Sequence, residues 1–207
     1  MTDAFALLGE TRRPWLDPDT LKARFHELSS PCHPDRFHSA SVEERDNAQS
    51  QFAELSSAFH LLKEPRERLL HLLELESGGR PKDIQRIPPG TMDLFVEIGQ
   101  TCRDADVFLQ SRTEAPSPML KLKQLQQSLD WNDRLTLLQQ RVNTKSAELE
   151  LELKGLNTVW AAVTIPVGDP ARSAGLPLER LEQLYRAMSY VGRWTEQLRE
   201  RLAQLAV

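Results

Sequence analysis

Ser29-Ser30-Pro31-Cys32-His33-Pro34-Asp35-Arg36-Phe37 is the stretch on which the reading of this chain turns. It separates two helical patterns of unequal length. Its centre, His33-Pro34-Asp35, sets an imidazole, a rigid ring and a carboxylate side by side. Pro34 fixes its own φ and pushes His33 towards extended backbone, which keeps the tripeptide out of either helix. Asp35 offers a carboxylate suited to a charge-assisted bond from a partner's arginine, and His33 offers both a donor and an acceptor. Such a loop is suited to docking on another protein rather than to chemistry of its own.

Working outward, Leu16-Asp17-Pro18 reads as a helix start, with Asp17 as cap and Pro18 in the first turn. Leu21, Phe25 and Leu28 then make one apolar stripe. Ser29-Ser30-Pro31 ends that helix, and a loop is expected from Pro31 to about Ala40. Ser41-Val42-Glu43-Glu44 is a capping box. Behind it Ala48, Phe52, Leu55, Phe59 and Leu62 form a narrow seam suited to an antiparallel partner, ending near Lys63. Glu64-Pro65 interrupts the pattern, and Leu69, Leu70, Leu72, Leu73 and Leu75 form a short final helix.

Gly- and Pro-rich stretches at Ser77–Pro81 and Pro88–Gly90 mark a domain boundary, giving domains at 1–76 and 92–207 with a linker at 77–91. In the second domain Thr91 is expected to cap a helix carrying Leu94, Phe95, Ile98, Cys102, Ala105 and Leu109. Glu114 to Pro118 reads as a turn. Leu135, Leu138, Val142, Leu149, Leu153, Leu156, Trp160 and Val163 sustain one long helix, and Ile165 to Pro177 reads as a loop. Leu181, Leu184, Met188, Val191, Leu198, Leu202 and Leu205 mark the last helix. Three such stripes can bury one another as an antiparallel three-helix bundle. The fold class is all-α, with an antiparallel helical hairpin ahead of the bundle.

Composition narrows the function. Of 207 residues, 40% are apolar and 27% charged, enough for a buried core, and the net charge of −4 without a basic block argues against nucleic acid or an anionic membrane. Cys32 and Cys102 form no CxxC pair, which suits a reducing cytoplasm. The N-terminus carries Asp3 and Glu10 and lacks the apolar core of a signal peptide. No phosphate-binding Gly-rich loop and no nucleophile–base–acid set is present, so no enzyme and no cofactor is expected. Cys32, His33 and His38 match no usual zinc spacing. The four tryptophans, Trp15, Trp131, Trp160 and Trp194, read as packing residues.

Asp3-Ala4-Phe5-Ala6-Leu7-Leu8-Gly9, the Leu21–Leu28 helix, His33-Pro34-Asp35 and the Ala48–Leu62 helix, in that order, resemble a J domain. The pattern is most similar to the HscB family of iron–sulfur cluster co-chaperones. The residues are Leu21, Arg24-Phe25, Leu28, His33-Pro34-Asp35-Arg36-Phe37, Ala58-Phe59, Leu62, Pro65, Arg68, Leu72-Leu73 and Leu75. The resemblance implies a chaperone-binding face of His33, Pro34, Asp35, Lys22, Arg24, His26 and Arg36. Its partner would be a DnaK- or HscA-type chaperone whose ATPase it stimulates. It also implies that residues 92–207 serve client binding and oligomerisation, the client being an IscU-type scaffold. The client patch has its counterpart in Leu94, Phe95, Val96 and Glu97. Alternatives are a J-domain protein for another client and a J-like adaptor without ATPase stimulation. Two differences stand out: Pro31 falls where the second helix usually continues, and Gly99-Gln100-Thr101 falls where apolar and acidic residues are expected.

Overall fold

Asp3 caps the first helix, α1 (Ala4–Leu7), its carboxylate accepting the N–H groups of Phe5 and Ala6 at 3.0 and 3.3 Å. This computed structural model describes residues 2–81, 87–112 and 117–206. The expected turn from Glu114 and part of the 77–91 linker lie outside them. Gly9 ends α1 at φ +63°, where a side chain would be strained, and a Cβ there would come within 2.7 Å of the Arg24 guanidinium. That space lets Arg24 donate to the Leu8 carbonyl at 3.2 Å.

Helix α2 (Pro18–Ser29) starts as expected, with the Asp17 carboxylate accepting the Thr20 N–H at 2.8 Å. Pro31 replaces the next α-helical turn by a 3-10 turn over Ser30–Cys32, and a second follows at Pro34–Arg36, so the expected loop is largely two tight turns. Helix α3 (Val42–Lys63) opens on the capping box. The Ser41 N–H donates to Glu44 at 3.0 Å, and the Glu44 N–H donates to the Ser41 hydroxyl at 3.3 Å. Pro65 sits in the first turn of α4 (Pro65–Ser77), and Gly78 closes that helix at φ +74°.

The remaining helices are α5 (Met92–Ser111), α6 (Pro118–Ala161), the short α7 (Arg172–Gly175) inside the expected 165–177 loop, and α8 (Leu178–Leu205). No strand occurs among the described residues. No helix among them is long and apolar enough to cross a membrane. Thr91 holds the N-cap position of α5, as expected, but its side chain bonds no helix N–H; its hydroxyl instead donates to the Pro88 carbonyl at 2.7 Å.

Contacts divide the chain into two units, residues 1–82 with 152–185, and residues 83–151 with 186–207. The division is therefore not a single break at 77–91. In the first unit Phe5, Leu8, Leu21, Leu62, Leu69 and Leu72 are fully buried, each worth roughly 1.5–3 kcal/mol relative to exposure. Polar clips fasten segment 152–185 to this core. The Asn157 amide accepts the Trp15 N–H at 2.9 Å and donates to the Trp15 carbonyl at 2.8 Å. The buried Glu76 carboxylate receives Arg12 at 3.4 Å and Arg172 at 3.0 Å. Arg68, also buried, donates to the carbonyls of Pro14 and Leu62 at 2.9 and 2.5 Å. His71 is buried beside Phe5 and accepts the Ala4 N–H at 3.1 Å. Burial pushes the His71 pKa below its ordinary value, against the opposing pull of Asp3 and Glu74.

In the second unit Ile98, Cys102 and Ala105 of α5 are buried, as are Leu135, Leu138 and Val142 of α6 and Val191, Trp194 and Leu198 of α8. Glu97 with Arg141, and Phe108 with Trp131, set α5 and α6 antiparallel. Arg201 ties α8 to α5, reaching Asp106 at 2.6 Å and the Cys102 carbonyl at 3.3 Å.

Candidate functional site

The two 3-10 turns hold His33-Pro34-Asp35 out from the α2–α3 hairpin. His33 adopts φ −63°, ψ +129°, the extended backbone that Pro34 imposes. The Arg36 N–H donates to the His33 carbonyl at 3.0 Å, and the Phe37 N–H to that of Pro34 at 3.0 Å, so the turn is closed by its own backbone. His33 Nδ1 accepts the Asp35 N–H at 3.3 Å, which requires a neutral ring to carry its proton on Nε2. The Asp35 side chain is 90% exposed, its carboxylate 3.7 Å from the His33 ring and otherwise unengaged among the described residues.

Beneath the loop, the His33 ring stands edge-on to Phe52, centroids 5.2 Å apart. Phe52 meets Phe25 at 6.3 Å, and Phe25 stacks on Phe59 at 4.6 Å. An aromatic column thus runs from the loop down the hairpin. Cys32, buried, points its thiol at the Ser29 carbonyl, 3.4 Å away, and pins the start of the turn. The supporting role of Phe52 was legible only as part of a core seam.

The basic residues divide. Lys22, His26 and Arg36 are exposed, and the first two line a shallow groove with Phe25, Phe59 and Lys63. Arg24 faces the other way, bonded to the Leu8 carbonyl and paired with Glu27 at 2.6 Å.

In the second unit Leu94 is half-buried and Phe95, Val96 and Glu97 are exposed. Phe95 therefore leaves the core stripe in which its spacing put it. It lines a groove of about 300 Å³ between α5 and α8 with Val96, Arg103, Tyr190, Arg193 and Trp194. Phe95 meets Tyr190 edge-on at 6.1 Å, and Arg193 lies over the Tyr190 ring at 4.3 Å. Glu97 is held by Arg141 at 2.5 Å. Arg103 donates to Gln100 and Arg193 to the Ser189 carbonyl, and neither meets a carboxylate among the described residues. The groove is apolar with a basic rim. Its α8 half was missed in the sequence, where only the spacing of Tyr190, Arg193 and Trp194 on one helix hinted at it.

No family model matches the chain. Over 131 residues it is 24% identical to the iron–sulfur cluster co-chaperone protein HscB homolog of Arabidopsis thaliana, a match covering 63% of this chain. The chain spans about half, 50%, of that curated relative. The crystal structure of human co-chaperone protein HscB superposes with a TM-score of 0.62 at 18% identity, covering 97% of this chain and 82% of the human one. In sequence the chain is similar to the HscB co-chaperones, and it shares their fold of a helical J-like domain followed by a helical bundle.

Proposed function

We propose that this chain is an HscB-type co-chaperone of iron–sulfur cluster assembly, which stimulates the ATPase of a DnaK- or HscA-type chaperone and delivers an IscU-type scaffold to it. The observation that carries this reading is the exposed His33-Pro34-Asp35 loop, held rigid on the aromatic column of an HscB-like fold. A carboxylate 90% exposed is open to a chaperone arginine. Lys22, His26 and Arg36 supply the surrounding basic character, and the cytoplasm is the expected setting.

Residues 92–207 would carry the client, with Leu94, Phe95 and Val96 as the apolar contact. Because Glu97 is paired with Arg141, its charge is not available at little cost. Arg103 and Arg193 favour a client segment that brings its own carboxylate.

Steady-state ATPase turnover of the chaperone, with and without this chain and an IscU-type scaffold, tests the reading. Stimulation that rises further with scaffold is expected. The adaptor reading draws support from Arg24, whose bonds to Leu8 and Glu27 thin the basic face. It predicts chaperone binding with unchanged turnover.

A further inference from the structure

Gly99 stands in the interior of α5, where a glycine weakens a helix. Nothing among the described residues asks for it. Its backbone is not left-handed, and a Cβ placed there would meet only the Arg103 guanidinium, at an ordinary 3.6 Å. A helical glycine that neither turns the chain nor admits a crowding neighbour leaves its space to something outside the chain.

That space opens into the groove between α5 and α8. Phe95 meets Tyr190 and Asp106 meets Arg201 with the same sequence offset, so the two helices run parallel and Gly99 lies level with Trp194. Both residues line the groove, with the buried Ile98 beneath. Its volume of about 300 Å³ is at the small end for a ligand site, room for one bulky side chain.

Charge defines the rest of the occupant. Arg103 donates to Gln100 at 2.8 Å and Arg193 lies over the Tyr190 ring, and neither guanidinium forms an ion pair among the described residues. Carboxylates of α5 are engaged elsewhere: Glu97 by Arg141, Asp104 by the Gln100 amide at 2.7 Å, and Asp106 by Arg201. Two arginines at the rim of an aromatic slot favour a carboxylate close to the inserted group.

We propose that Gly99 is a specificity-determining residue of this groove. Its missing side chain keeps open a slot opposite Trp194 that receives one bulky apolar side chain of a client segment, and Arg103 and Arg193 bind a carboxylate next to that side chain. This rests on the reading of the groove as the client site and names the class of segment it takes.

N-acetyltryptophan, a bulky ring beside a carboxylate, is the minimal probe, and its uncharged amide is the control. Each is titrated into the isotope-labelled full chain and followed by nuclear magnetic resonance. The acid should shift the Gly99 amide and Trp194 indole signals with a dissociation constant on the order of 1 mM, and the amide should bind roughly fivefold more weakly. Gly99→Leu fills the slot from within. It should keep the helical spectrum, melt no lower than the wild type, lose the shifts, and bind an IscU-type scaffold at least about tenfold more weakly. Shifts that survive Gly99→Leu overturn the proposal, as does an amide that binds as well as the acid. So does a wild-type chain that takes neither compound at the groove. If the probe behaves as expected and the wild-type chain does not bind the scaffold, the slot stands and the reading of the groove as the client site fails.

Discussion

The loop after α2 and the groove between α5 and α8 are both proposed contact surfaces, and they are made in opposite ways. His33, Pro34 and Asp35 are consecutive, and the side chain with the most to offer, Asp35, is almost wholly outside the fold. The groove joins Phe95 and Val96 to Tyr190, Arg193 and Trp194, about ninety-five positions away, and Tyr190 and Trp194 are buried core residues as well as walls. Signalling chemistry in the first region is separable from stability. In the second the two are the same side chains.

That contrast can be broken most sharply at Trp194. Replacing it by alanine should cost the second unit about 3–5 kcal/mol, because a side chain 4% exposed leaves a cavity. Chemical denaturation reads the loss, and a change below about 1 kcal/mol would mean the groove wall is not core. Asp35→Asn should do the reverse. Chaperone stimulation should fall at least about tenfold, equivalent to about 1.4 kcal/mol, with the melting temperature unmoved. A stability loss matching the functional loss would erase the distinction. Phe95→Ala lies between, since the ring is 39% exposed. Scaffold affinity should weaken by about 1 kcal/mol in calorimetric titration, with stability changed by less than about 0.5 kcal/mol.

The smallest effect lies in the core of the unit that carries the loop, away from the loop itself. His71 is held neutral by burial and by accepting the Ala4 N–H. Its folded pKa lies below the unfolded value of about 6.5, so the unfolded chain binds the extra proton first. The stability it contributes is complete above that pH and declines as pH falls through the depressed value. Denaturation midpoints measured from pH 7.5 downward should show this decline, and His71→Gln should flatten it. An unchanged slope in that variant would assign the pH dependence elsewhere.

How much of this was legible in the sequence follows the same contrast. Asp17 and the Ser41–Glu44 box act within one helical turn, and both helix starts they mark lie where expected; Pro65, read as an interruption, itself opens α4. The tripeptide and its extended backbone were equally local. Thr91 also stands at the helix start it marks, but its hydroxyl is turned to the Pro88 carbonyl rather than to a helix N–H. The Asn157 clip on Trp15, and Glu76 between Arg12 and Arg172, join positions 142, 64 and 96 residues apart. Single polar residues at such separations carry no periodic signal, so the attachment of segment 152–185 to the N-terminal core could not be read. Phe95 fitted the core spacing of α5 and was misplaced for a related reason: which neighbours reach a stripe's edge is decided by α8, not by α5.

The central claim, that a rigid and exposed His33-Pro34-Asp35 loop drives a chaperone's ATP turnover, is tested most directly by His33→Gln in a steady-state ATPase assay. The DnaK- or HscA-type partner would be assayed with and without the variant, and the helical spectrum checked alongside. The account predicts that stimulation disappears while the spectrum is unchanged. Undiminished stimulation by the folded variant would contradict it.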